Sequence, residues 1–163
     1  MPLHWILDRV LAIAGVPSDR EELEEWVAEG IRAVLSLLNE ADLPATWIDL
    51  TKVHEAIKSL GLELYAYPVP SRKAPPLDAA LDMVKWIDSM ISSNRPVVIT
   101  CKRGWGRGGS VAASYMVYKG YAPEEALRLI NDAAVSAGDR PIESREQQML
   151  PYMVANAIRN HQK

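Results

Sequence analysis

The stretch Val97-Val98-Ile99-Thr100-Cys101-Lys102-Arg103-Gly104-Trp105-Gly106-Arg107-Gly108-Gly109-Ser110 changes character twice in a short space. Its first residues are β-branched and form a short apolar run, the pattern of a buried strand. Four glycines then crowd one turn before a helix opens. A turn that only reverses the chain needs one or two glycines. Backbone that wraps its N–H groups round an anion needs several positions without a Cβ. The helix start brings its partial positive charge to the same point. A strand, a glycine-rich loop and a helix in that order are one unit of an α/β sheet, and this unit sets the fold class.

The same alternation continues on both sides. Residues 3–7 and 11–15 read as short strands. Ser18 and Glu21 form a capping box ahead of a helix through Ala28, which Gly30 stops. Residues 31–38 are strand-like. Asp49 or Thr51 caps a helix to Leu60, and residues 62–67 give the next strand. A proline-rich loop covers residues 68–76. From Pro75 and Pro76 a long amphipathic helix follows, with Ala80, Met83, Val84, Ile87 and Met90 on one face. After Gly109 the pattern is helical to the end. One helix runs from Pro123 to about residue 137, and another follows the capping pair Ser144 and Gln147, with Pro151 expected to kink it. The expectation is a single domain over residues 1–163: a mostly parallel sheet of four or five strands flanked by helices, with a helical C-terminal third. Ligands of such sheets bind at the carboxyl ends of strands, where both the proline loop and the loop after Thr100 fall.

Composition narrows the function classes. The chain has 163 residues, 48% apolar and 24% charged, which is an ordinary globular balance. With 18 basic against 21 acidic residues the net charge is -3, so no broad surface for nucleic acid is expected. The single cysteine forms no internal disulfide, and the three histidines lack ligand spacing, so neither a metal site nor a cofactor is expected. No signal peptide or membrane span is legible, and the expected location is the cytoplasm.

Cys101 stands at the lip of the glycine loop. Arg107, six residues later, can turn back to offer a planar two-pronged donor to phosphate oxygens. The helix end, the loop amides, Arg107, Lys102 and Arg103 all favour a thiolate, so the Cys101 pKa is expected to be lowered. A thiolate in an oxyanion cup can take the phosphoryl group from a monoester and form a phosphocysteine that water then hydrolyses. Lys102, Arg103, Gly104, Trp105, Gly106 and Gly108 are the expected substrate-binding positions around the cup. Gly104, Gly106 and Gly109 also fit the dinucleotide pattern Gly-x-Gly-x-x-Gly. That reading fails for want of a strand ending in an acid about 20 residues on, where Glu124 and Glu125 open a helix.

The loop resembles that of the Cys-x5-Arg protein tyrosine and dual-specificity phosphatases, which reads His-Cys-x-x-Gly-x-Gly-Arg-Ser/Thr-Gly. Cys101, Gly104, Gly106, Arg107 and Gly109 match. The likeness extends toward compact archaeal-type tyrosine phosphatases. Tyr67-Pro68-Val69-Pro70 with Ala74-Pro75 resembles their acid-bearing loop, and Glu146-Gln147 resembles their glutamine segment, which implies that Gln147 positions the hydrolytic water. Three positions depart from the pattern. Thr100 replaces the His before the cysteine, Gly108 replaces the hydroxyl residue after the arginine, and Ser71 stands where the resemblance places the general acid.

The resemblance implies a phosphomonoesterase with reduced activity. A positioned acid contributes about 10²- to 10⁴-fold, and Glu40, Asp42 and Asp78 are the candidates to replace it. Implied substrates are proteins carrying phosphotyrosine, or phosphoserine and phosphothreonine, and small phosphorylated molecules, with phosphate, sulfate or vanadate able to occupy the cup. Two rival readings are a pseudophosphatase that binds phosphate without turnover and, more remotely, a rhodanese-like sulfurtransferase.

Overall fold

The inner strands are four residues long and apolar on both faces, so they are satisfied only between two layers of helices. The structure, a computed structural model, describes residues 3–142 and 144–161. In chain order the elements are β1 (His4–Leu7), β2 (Leu11–Ala14), α1 (Arg20–Ala28), β3 (Ala33–Ser36) and a short 3₁₀ turn (Glu40–Asp42). They continue with α2 (Leu50–Ser59), β4 (Glu63–Ala66), α3 (Leu77–Ser92), β5 (Val97–Thr100), α4 (Arg107–Tyr118), α5 (Pro123–Ser136) and α6 (Arg145–His161). The five strands lie in the order β1-β2-β5-β3-β4. Only the β1 pairing is antiparallel; β2, β5, β3 and β4 run parallel.

Strand alternation divides the interior in two. Leu11, Ile13, Leu35 and Ile99 point into a core filled by Met83 and Ile87 of α3, Val111 of α4, Ile130 of α5 and Leu150 of α6. Ala12, Val34 and Val98 face the other way, onto Leu23 and Trp26 of α1 and Val53 and Ile57 of α2. Burying each such branched or aromatic side chain is worth about 1.5–3 kcal/mol. Among the described residues no helix is long and apolar enough to cross a membrane.

Element boundaries differ from the sequence expectation in instructive places. The cap of α1 is Asp19, whose carboxylate accepts from the Glu22 amide at 3.0 Å, while the Ser18 amide donates to the Glu22 carboxylate. The box is therefore shifted one residue from Ser18 and Glu21. Asp49, and not Thr51, caps α2. β3 is shorter than residues 31–38, although Ile31, Leu37 and Leu38 are all buried. α4 begins at Arg107, ahead of Gly109, and α6 continues through Pro151.

Beyond the strand ends the backbone ladder continues far enough to gather three segments. The Tyr67 amide donates to Ser36 O at 2.9 Å, the Val69 amide to Leu37 O at 3.1 Å and the Leu37 amide to Thr100 O at 2.9 Å. The 3₁₀ turn after β3, the proline segment after β4 and the glycine loop after β5 thus meet at one edge of the sheet.

Candidate active site

Thr100 and Gly104 anchor the glycine loop. The buried Thr100 hydroxyl donates to Gly15 O at 2.9 Å, and the Val16 amide donates to Lys102 O at 3.1 Å, so the loop is tied to the end of β2. Gly104 has φ +96°, and a Cβ there would come within 2.7 Å of Ile13 Cγ2 and 3.0 Å of the Ala14 backbone. Only glycine lets the loop press this closely on β2. Its amide turns inward and donates to Cys101 Sγ at 3.2 Å.

α4 starts directly behind the sulfur. Its N-cap, Gly106, offers no side chain to the first-turn amides, and one of them, that of Gly108, points at the Cys101 sulfur. A Cβ on Gly108 would lie 3.7 Å from Cys101 Sγ and 3.5 Å from Ile99 Cγ2, so this position looks at the sulfur itself. Ser110 does not: its hydroxyl donates to Gln147 O at 2.6 Å.

Arg107 reaches forward into a buried ion pair. Its Nη1 and Nη2 donate to the two carboxylate oxygens of Asp42 at 2.7 and 2.9 Å, and Nη1 also donates to Val69 O at 2.8 Å. Both side chains are 4% exposed. Burial alone draws the arginine pKa down. The hydrogen-bonded Asp42 carboxylate and the Cys101 sulfur more than offset that, and the net shift is upward. The Asn39 amide donates to Asp42 Oδ2 at 3.0 Å and the Asn39 side chain donates to Val69 O at 2.8 Å, which locks the 3₁₀ turn onto the proline segment.

The thiol departs from expectation in two respects. Cys101 lies at the floor of the cup, 2% exposed, and not at its lip. Its pKa is raised, because burial outweighs the opposing pull of Arg107 and of the Gly108 and Gly104 amides, and Asp42 adds to the rise. The sequence expectation of a lowered value counted the local donors and missed both desolvation and the carboxylate that neutralises Arg107.

A cavity of about 260 Å³ opens above the sulfur. Of the positions singled out from sequence, Ser71, Cys101, Lys102, Arg103, Trp105, Gly106, Arg107 and Gln147 all line it. Gly104 and Gly108, also expected to bind substrate, are not among its lining residues. Trp105, among the expected substrate-binding positions, lines the cavity but is 2% exposed, its ring packed against that of His4 with centroids 5.1 Å apart. Gln147 is buried, and its side-chain amide donates to Lys73 O at 3.0 Å, while the Glu146 carboxylate accepts from the Ala74 amide at 2.7 Å. The start of α6 therefore grips the proline segment at two successive residues.

Glu40, Asp42 and Asp78 lie outside the cavity lining. Glu40 accepts from the Leu50 amide at 3.1 Å, and Asp78 accepts from the Ala79 amide at 2.9 Å. Sequence reasoning missed the segment after α5, which supplies Asp139, Arg140 and Pro141 to the wall. Arg72 and Arg140 join Lys102 and Arg103 at the mouth, so a chain of net charge -3 presents a locally cationic entrance.

Comparison with known proteins gives the chain a family. The family model described as "Polymorphic toxin system, DSP-PTPase phosphatase" matches residues 13–121, more than half of the chain. The mouse (Mus musculus) protein tyrosine phosphatase domain-containing protein 1 is 26% identical over 141 residues, covering 80% of this chain and 18% of the mouse protein. The chain thus spans less than a fifth of the length of the curated relatives it matches. The crystal structure of Tk-PTP, an archaeal tyrosine phosphatase, in its active form superposes with a TM-score of 0.78 at 26% identity, covering 94% of this chain and 96% of that one. PTPMT1 in complex with PI(5)P shares the fold at 18% identity and TM-score 0.79, covering 99% of both chains.

Proposed function

Since the chain belongs to the DSP-PTPase phosphatase family, we propose that it is a cysteine-dependent phosphomonoester hydrolase that works through a phosphocysteine on Cys101. The observation that carries this reading is the common cavity: the Cys101 sulfur, the uncapped start of α4 and the Arg107 guanidinium all meet there. In the first step the Cys101 thiolate attacks phosphorus and the ester oxygen leaves. The loop amides and Arg107 receive the charge on the three non-bridging oxygens. In the second, water attacks the phosphocysteine beside Gln147, and phosphate departs as the sulfur regains its electron pair. The thiol gives up its proton to solvent before the attack, and the departing phosphate returns the sulfur as a thiolate.

The substrates we assign are phosphomonoesters of proteins, phosphotyrosine first, and small phosphorylated molecules. The cationic mouth formed by Lys102, Arg103, Arg72 and Arg140 favours further negative charge beside the scissile group. The phosphoinositide in PTPMT1 is a ligand of that kind. Turnover is reduced, because Gly108 gives the leaving sulfur no hydroxyl, and Ser71 supplies no carboxylic acid of its own.

A second reading has its own support. The buried thiol, whose pKa burial pushes up, and the missing hydroxyl at residue 108 suit a module that binds phosphate without turning it over. Acid quench of the protein mixed with an aryl phosphate separates the two. A phosphate label on Cys101, absent from Cys101→Ser, with release of inorganic phosphate, is the expected result. Tight vanadate binding with neither label nor release would replace the hydrolase reading by the binding module.

A further inference from the structure

Breaking a phosphate ester leaves an alkoxide unless a proton meets the departing oxygen, and this need grows as the alcohol becomes less acidic. Of the carboxylates that sequence suggested for this task, Asp42 is paired with Arg107 and Glu40 accepts from the Leu50 amide, and neither these two nor Asp78 line the cavity. Among the described residues the cavity wall contains one carboxylate, and it is Asp139.

Local geometry holds Asp139 in place. α5 ends in a turn through Gly138, at φ +77°, and the Asp139 amide donates back to Ala134 O at 2.9 Å. Oδ1 accepts from the Arg140 amide at 2.8 Å and faces Arg103 Nη1 at 3.9 Å. The side chain is 19% exposed, against 60% for Arg103, so the carboxylate is sunk into the wall while its cation stays at the rim.

Building on the hydrolase reading above, we propose that Asp139 is the general acid and base of the reaction, in place of the carboxylic acid absent at Ser71. In the first step the S–P bond forms, the P–O ester bond breaks, and the proton on Asp139 Oδ2 passes to the departing oxygen, giving a neutral alcohol. In the second, the Asp139 carboxylate takes a proton from water as the water oxygen bonds to phosphorus. The S–P bond breaks and its electron pair returns to sulfur. The sum is ester plus water to alcohol plus phosphate, with Asp139 again protonated.

The test is Asp139→Asn, assayed on a nitrophenyl phosphate, whose leaving group needs no proton, and on an alkyl phosphate, which does. The asparagine oxygen keeps the bond from the Arg140 amide, and unchanged thermal unfolding and vanadate affinity show that the cup is intact. The expected result, read in a single turnover, is a loss of about 10²- to 10⁴-fold in the rate of phosphocysteine formation from the alkyl ester and of less than about tenfold from the nitrophenyl ester. The same loss on both esters would make Asp139 a positioning residue, and no loss on either would remove it from the reaction; each overturns the proposal while phosphocysteine still forms. If the unaltered protein forms no phosphocysteine from either ester, the hydrolase reading falls and this proposal falls with it.

Discussion

Replacing Gly108 by serine should return to the sulfur the hydrogen bond that this loop lacks. The β-carbon would lie 3.7 Å from Cys101 Sγ, 3.5 Å from Ile99 Cγ2 and 3.8 Å from Ile99 O, all ordinary contacts. Gly108 does not adopt a positive φ, so no backbone strain opposes the change. A hydrogen bond to a charged acceptor is worth about 1.5–3 kcal/mol. At about 1.4 kcal/mol per factor of ten, that is roughly ten- to hundredfold on any step in which negative charge grows on sulfur. Breakdown of the phosphocysteine is such a step. In its formation, by contrast, charge leaves the sulfur. Rapid acid quench with an aryl phosphate measures both: Gly108→Ser should shrink the burst of trapped phosphocysteine and raise the steady-state rate. A burst of unchanged size, or formation and breakdown accelerated alike, would refute the assignment of slow breakdown to the missing hydroxyl.

Asp42 offers two further checks. Asp42→Asn keeps an acceptor for Arg107 but removes the negative charge that helps to raise the Cys101 pKa. The pH dependence of alkylation by iodoacetamide should therefore have its midpoint above the ordinary thiol range in the unaltered protein and move down in the variant. The raised thiol pKa also means that the unfolded chain loses its proton first. Stability present below the ordinary thiol value is then lost as pH rises toward the folded value, and Cys101→Ser should remove that decline. Asp42→Ala leaves a buried guanidinium without its partner and should cost about 3–5 kcal/mol in denaturant unfolding. Gly104→Ala meets Ile13 and the Ala14 backbone at a φ of +96°. It should lower stability by about 1–3 kcal/mol and abolish vanadate binding, since the loop must lift off β2.

The sequence exposed those parts of the fold whose cause is local. β5 is legible as a strand because Val97 to Ile99 are apolar on both faces and a glycine loop follows them. The expected β3 is longer than the observed strand because hydrophobicity reports burial and not pairing: Ile31 and Leu38 are buried outside the ladder. The α1 cap slipped by one residue because Ser18 and Asp19 are both good acceptors, and only backbone geometry chooses between them. At the site, Cys101, Arg107 and Gln147 were legible through spacing and resemblance. The Arg107 bond to Asp42, 65 residues away in the chain, was not. Nor was the direction of the Cys101 pKa shift, which tertiary burial decides. Asp139 follows Gly138 at the end of α5, where a charged residue reads as a solvated turn, and only the packing of α5 against α4 brings it to the cavity.

The double grip of α6 on the proline segment has a mechanical consequence. Lys73 O and Ala74 N are fastened to Gln147 and Glu146, so that side of the pocket swings outward only if both fastenings break together and the buried Gln147 loses its partner. The rim therefore behaves as a fixed aperture and not as a shutter. On the hydrolase reading proposed above, ligands would be sorted by how deep their phosphoryl group can reach before the fixed walls stop it, with the pace of turnover left to the chemical steps.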